Sequence, residues 1–144
     1  MIIETAIKTG MRRAELANLL VRHINFGSGS LTVVGGKGSR DRVIPITNKL
    51  ELDLEELCSD KELNDRTFGL TPQSLGLKIN YWAKKAGVTI HTHSFRHYFA
   101  TSLLEKGVNI RVVQELLGHS SLATTELYLS VTAFHLKDAV RRLD

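Results

Sequence analysis

Six residues of this chain have side chains suited to breaking and remaking a phosphate ester: Arg12, Lys37, His93, Arg96, His119 and Tyr128. They fall at or near the ends of expected elements, where loops present functional groups. Phosphoryl transfer gathers negative charge on non-bridging oxygens, so its catalysis is mainly electrostatic stabilisation and positioning. Two guanidiniums suit that task, because each offers a planar fork that matches phosphate and stays charged at every working pH. Histidines can hydrogen-bond the same oxygens or move a proton. A lysine on a glycine-rich turn can protonate a departing sugar oxygen. A tyrosine hydroxyl, with an ordinary pKa of about 10, needs such a cationic set before it attacks as phenolate.

Taken singly, each residue has a plainer reading. Arg12 suits a solvated helix, Lys37 a loop tip, and Tyr128 a half-buried core aromatic. His119 follows Gly118 and can simply finish a helix, where its charge is favourable. His93 and His97 lie four apart and could share a helix face as metal ligands. No third ligand stands at a recognised spacing and Arg96 lies between them, so no metal is expected.

The elements that must position these residues are mostly helical. A helical pattern opens the chain, stops at Thr9-Gly10 and restarts over Arg12 to Leu20. Ile24 and Phe26, then Leu31 to Val34, then Arg42 to Ile46 read as three short strands separated by glycine-rich turns. Pro45 places the last of them at an edge or a strand end. Thr47 or Asn48 caps a helix carrying Leu50, Leu52, Leu54 and Leu57. Thr71-Pro72 opens another that closes at Gly87 after Leu75, Ile79, Trp82 and Ala86. His93 leads into a helix stopped by Gly107, and Asn109 caps one running to Gly118. Ser120 or Ser121 starts a helix over Leu122 to Leu127, and Ala133, Leu136, Val140 and Leu143 form a last amphipathic stripe. The fold class expected is α+β, mainly helical with a small three-stranded antiparallel sheet.

The chain's 144 residues suit one domain with a hydrophobic core. No run approaches the roughly 20 apolar residues of a membrane span. Glu4 and Lys8 break the apolar start, so no secretory leader is expected. Cys58 is the single cysteine, which excludes an internal disulfide and a multi-cysteine zinc site. A cytoplasmic setting fits. The net charge of +4 and pI near 9.4 lean toward a polyanionic partner, although the arginines and lysines are spread along the chain. A basic surface must therefore be assembled by folding.

Order and local context add a resemblance. Thr9-Gly-Met-Arg-Arg-Ala-Glu-Leu16 resembles the first arginine box of the tyrosine recombinases, the phage-integrase family. Gly36-Lys37-Gly38 followed by Arg42-Val-Ile-Pro45 looks like that family's β-hairpin lysine. His93-Ser-Phe-Arg-His-Tyr-Phe-Ala-Thr101 is similar to its second box. Leu116-Leu-Gly-His-Ser-Ser121 with Thr124-Thr-Glu-Leu-Tyr128 resembles the last, where histidine precedes the tyrosine by nine residues. The likeness runs from about residue 5 to 132, and its specificity lies in the ordered set.

The resemblance implies a site-specific recombinase that cleaves and rejoins double-stranded DNA. Arg12 and Arg96 would clamp the scissile phosphate, with His93 and His119 completing the hydrogen-bonding shell. Lys37 would be the general acid toward the 5′-hydroxyl, and Tyr128 would become joined to the 3′-phosphate. Glu15 reads as a support that orients the site, and His97 and Phe99 as packing residues. Arg13, Arg40 and Arg42 are expected to contact DNA. Arg13 stands where the family has a small or apolar residue, so it is either an added phosphate contact or simply exposed. Neither metal nor nucleotide cofactor is implied, because the phosphotyrosine conserves the ester's energy. The partners implied are DNA and further copies of the chain, monomeric in solution and tetrameric on DNA.

Residues 1–144 correspond to a catalytic domain, and the family's N-terminal DNA-clamping domain is expected to be absent from this stretch. The stripe from Ala133 to Leu143 suits docking on a neighbouring protomer as well as packing on its own domain. Two other readings stand beside the recombinase. One is a non-catalytic DNA-binding module whose helix pairs around Gly107 and Gly118 mimic a helix-turn-helix. The other is a type IB topoisomerase-like enzyme that relaxes DNA without exchanging strands. A complete catalytic set argues against the pure binder.

Overall fold

The computed structural model describes residues 1–35, 41–90 and 93–118. Helices α1 (Ile2–Thr9) and α2 (Arg13–Ala17) lead through a 3-10 turn, Val21–His23, into strands β1 (Ile24–Asn25), β2 (Ser30–Val33) and β3 (Arg42–Pro45). Helices α3 (Asn48–Cys58), α4 (Pro72–Lys85), α5 (Ser94–Glu105) and α6 (Ile110–Leu117) follow. This is the mainly helical α+β fold with a three-stranded antiparallel sheet that the pattern implies. The expected helices beyond Gly118 lie outside the described residues. Among the described residues no helix is long and apolar enough to cross a membrane.

Local chemistry explains most boundaries. Thr47, Thr71 and Asn109 each accept a backbone N–H of the first turn they cap. Gly10, Gly107 and Gly118 adopt positive φ where α1, α5 and α6 end. Phe26, Val34 and Ile46 each fall one residue beyond the strand expected to hold them, and α2 departs further, stopping at Ala17 rather than reaching Leu20. The chain there turns aside to pair with a distant loop, Val21 N–H donating to Asp65 O and Thr67 N–H to Leu19 O.

The sheet runs β1-β2-β3, with Leu31 opposite both Ile24 and Ile44, and Val33 opposite Arg42. Alternation puts Leu31, Val33, Arg42 and Ile44 on the buried side and leaves Val43 outside. β3 is an edge strand, as Pro45 requires. The main core joins this face to Leu16 and Leu19, to Leu50 and Leu54 of α3, and to Leu75 and Ile79 of α4. Leu52 and Leu57 of the same helix are exposed, because the seam at 50, 54 and 58 faces inward. A second cluster, Phe99, Ala100, Val113 and Leu117, holds α5 to α6.

Candidate active site

Arg12 is the residue before α2, in extended backbone. Its main-chain N–H donates to Glu15 Oε2 at 2.7 Å and its Nη1 to Glu15 Oε1 at 2.8 Å. The first contact satisfies a helix N-terminus donor that has no partner within the helix. Glu15 also receives Arg42 Nη1 on Oε1 at 3.0 Å and Arg42 Nη2 on Oε2 at 2.8 Å. Burial by itself would raise the Glu15 pKa. The hydrogen bonds from Arg42 and from the Arg12 main chain and side chain outweigh it and hold the carboxyl at about 2. Glu15 is thus a fixed anion between two guanidiniums, and the trio keeps a net positive charge.

Arg96 lies in the first turn of α5 and is 3% exposed. Its Nη1 donates to Gly10 O at 2.8 Å and its Nη2 to Leu117 O. Both acceptors sit at helix C-terminal ends, where carbonyls lack intrahelical partners and the dipole favours a cation. Two bonds to two different helices fix the plane of this guanidinium. Position 10 requires glycine both for its left-handed turn and for the close approach of α5, since a Cβ there would lie 2.5 Å from Phe99 Cδ1.

Arg12, Arg13, His93 and Arg96 line one cavity of about 450 Å³, with Gly76, Asn80, Ile90 and Phe95 among the other walls. Among the described residues its lining contains three arginines, one histidine and no carboxylate. The N-terminus of α5 opens beside it at His93, which is exposed. The arrangement can bind a phosphate group: a low-dielectric wall on one side and fixed positive charge converging from α2 and α5 on the other.

Lys37, Arg40, His119 and Tyr128 lie outside the described residues. The connection that bears Lys37 is tied at its base, where Gly35 N–H donates to Asp41 Oδ1 at 2.8 Å. Arg13 is exposed on the cavity rim. Arg42 corrects an expectation: it is 8% exposed, on the core side of β3, with its fork committed to Glu15 and its Nε to Leu116 O. With all three of its guanidinium nitrogens engaged, and unlike Arg96 not among the residues lining the cavity, Arg42 is part of the interior and is not carried forward as a DNA contact. His97, expected to pack, is exposed, whereas Phe99 is buried as expected.

Two cavity residues escaped the sequence reading. Asn80 carried no local signal. Gly76 did, as a glycine inside an otherwise regular helix, where it costs about 1 kcal/mol relative to alanine. Its reason is Arg13: a Cβ at Gly76 would fall 2.7 Å from Arg13 Nη1.

Residues 1–135 match the phage integrase family. Tyrosine recombinase XerA of Pyrococcus furiosus is 42% identical over 145 residues, covering 93% of this chain and 50% of the relative. The chain spans about half the length of the curated relatives it matches. A crystal structure of XerA recombinase superposes with a TM-score of 0.81 at 29% identity, over 98% of this chain and 56% of the other. The catalytic domain of bacteriophage HP1 integrase gives 0.75 at 27% identity, over 97% and 79% respectively.

Proposed function

This chain belongs to the phage integrase family, and we propose from that premise that it is the catalytic domain of a site-specific tyrosine recombinase. It cleaves and rejoins double-stranded DNA through a 3′-phosphotyrosine intermediate. The observation that carries this reading is the convergence of Arg12, Arg13, His93 and Arg96 on one cavity with no carboxylate among the described residues that line it. The relatives called tyrosine recombinases support it.

Arg12 and Arg96 hold the non-bridging oxygens of the scissile phosphate, and their charge stabilises the extra negative charge of the transition state. The Tyr128 oxygen attacks phosphorus, forming one P–O bond as the bond to the 5′ oxygen breaks. The phenol proton passes to a histidine of the His93–His119 shell, and Lys37 protonates the departing 5′ oxygen. A 5′-hydroxyl from a second strand reverses the step and completes the exchange. One ester replaces another throughout, so the chemistry draws on no nucleotide. Arg13 and Arg40 contact the DNA backbone, which positions the duplex without reading its sequence. The working assembly is a homo-tetramer on DNA built from monomers in the cytoplasm.

The test uses a suicide duplex whose cleaved end diffuses away, with covalent protein–DNA complex as the readout. The wild type should form a 3′-linked complex and Tyr128→Phe should form none. A 3′-linked complex in Tyr128→Phe would show that another residue is the nucleophile.

A further inference from the structure

Arg42 is a charged residue on the core face of an edge strand, opposite Val33. Burying a guanidinium is costly unless its donors are matched. Here Nε donates to Leu116 O at 2.8 Å while Nη1 and Nη2 grip the two oxygens of Glu15. Leu116 lies in the last turn of α6, and Glu15 holds both the main-chain N–H and Nη1 of Arg12. One side chain therefore ties β3 to the start of α2 and to the end of α6. The fit is close, because a Cβ at Gly118 would lie 2.9 Å from Arg42 Cδ. In sequence, β3 follows the connection that carries Lys37, and α6 leads directly to His119.

We propose that Arg42 is a positioning residue for DNA cleavage, setting Arg12 through Glu15 while holding the C-terminal end of α6 in the same alignment. The proposal rests on the recombinase reading given above. Arg12 lines the cavity while its main-chain N–H and Nη1 are held by Glu15, and the same carboxylate is held by the Arg42 fork. A shift of β3 or α6 is thereby transmitted to the arginine that faces the phosphate.

The experiment compares Arg42→Lys, Arg42→Ala and Glu15→Gln with the wild type, measuring cleavage of the suicide duplex and DNA affinity over a salt series. Lysine keeps the charge but lacks the two-pronged fork. Both Arg42 variants should bind DNA with wild-type affinity and salt slope while cleaving roughly 10–100-fold more slowly, the scale expected of a misplaced catalytic group. Methylguanidinium should restore part of the Arg42→Ala rate, whereas the same concentration of sodium chloride should not. The Arg42→Lys/Glu15→Gln double variant should be no slower than its worse parent, because both residues act along one chain of contacts.

Wild-type cleavage by Arg42→Lys, or additive losses in the double variant, would overturn the proposal. A shallower salt slope would make Arg42 a phosphate contact and overturn it equally. Should Arg42→Ala fail to fold, the lysine variant and the double variant decide. A wild-type protein that forms no covalent complex removes the recombinase reading and this proposal together. A wild-type complex matched by an unimpaired Arg42→Lys removes this proposal alone.

Discussion

Glu15 takes both Nη atoms of Arg42, at 3.0 and 2.8 Å, in a pair whose side chains are 11% and 6% exposed. A bidentate pair so enclosed is specified by geometry as much as by charge. Removing one partner strands the other, which in buried pairs costs about 3–5 kcal/mol. Arg12 joins the same carboxylate from the opposite side, so the ion pair inside the domain and the arginine at the cavity share one anchor.

That anchor makes stability depend on pH. The folded Glu15 pKa of about 2 lies below its ordinary value of 4.5. Ionised Glu15 therefore adds stability that is present above about pH 5 and is lost as pH falls from 4.5 toward 2, on the order of 3 kcal/mol. Urea unfolding across that range should show the wild type losing its advantage over Glu15→Gln as the medium acidifies. A constant difference between the two would contradict this.

Two glycines with positive φ should respond differently to alanine. At Gly107 (φ +79°) no atom of the described residues beyond its chain neighbours lies within 4 Å of the added methyl, so backbone strain of about 1 kcal/mol is expected. At Gly10 (φ +62°) the methyl would also meet Phe99 at 2.5 Å and Leu117 at 3.0 Å. Overpacking adds about 1–3 kcal/mol, and the shift moves the carbonyl that Arg96 grips. Thermal unfolding should rank Gly10→Ala well below Gly107→Ala, and cleavage should fall only in the former.

Arg96 bridges two helices as well as facing the cavity, so its loss should be felt twice. Arg96→Ala should lower the cleavage rate on the order of 10²–10³, as for loss of one preorganised charge-stabilising donor. It should also destabilise the domain, since Gly10 O and Leu117 O lose their donor. A lysine cannot span both carbonyls in one plane, so Arg96→Lys should recover little of either. Single-turnover cleavage and a urea midpoint measured on the same preparations check both effects.

Helix α3 separates buried from exposed leucines over two positions. Leu54 is fully buried and Leu52 is 64% exposed. Leu54→Ala should cost about 2–5 kcal/mol, whereas Leu52→Ala should stay within about 0.5 kcal/mol. Equal losses in urea unfolding would mean that α3 packs on a different face.

Most elements were legible because their signals are local. Capping threonines, the prolines at positions 45 and 72 and the stop glycines act within a few residues, and the helical and strand periods decide the rest. The end of α2 departs from the local pattern because a pairing with residues 63–67 overrides it. The burial of Arg42 left a trace in the sequence: it alternates in phase with Ile44, which puts a charge on the core face and calls for a partner. No local pattern could name Glu15 as that partner.

The order of the arginines, histidines, lysine and tyrosine, together with their helical and strand settings, is determined by the chain itself, because those features depend on neighbours along the backbone. Which charges share space was decided only by packing. Arg42 finds Glu15 across 27 residues and Arg96 finds Gly10 across 86. Such meetings depend on how the helices close around the sheet, and that closure turns one arginine into an interior strut while leaving Arg12 and Arg13 at the mouth of the cavity.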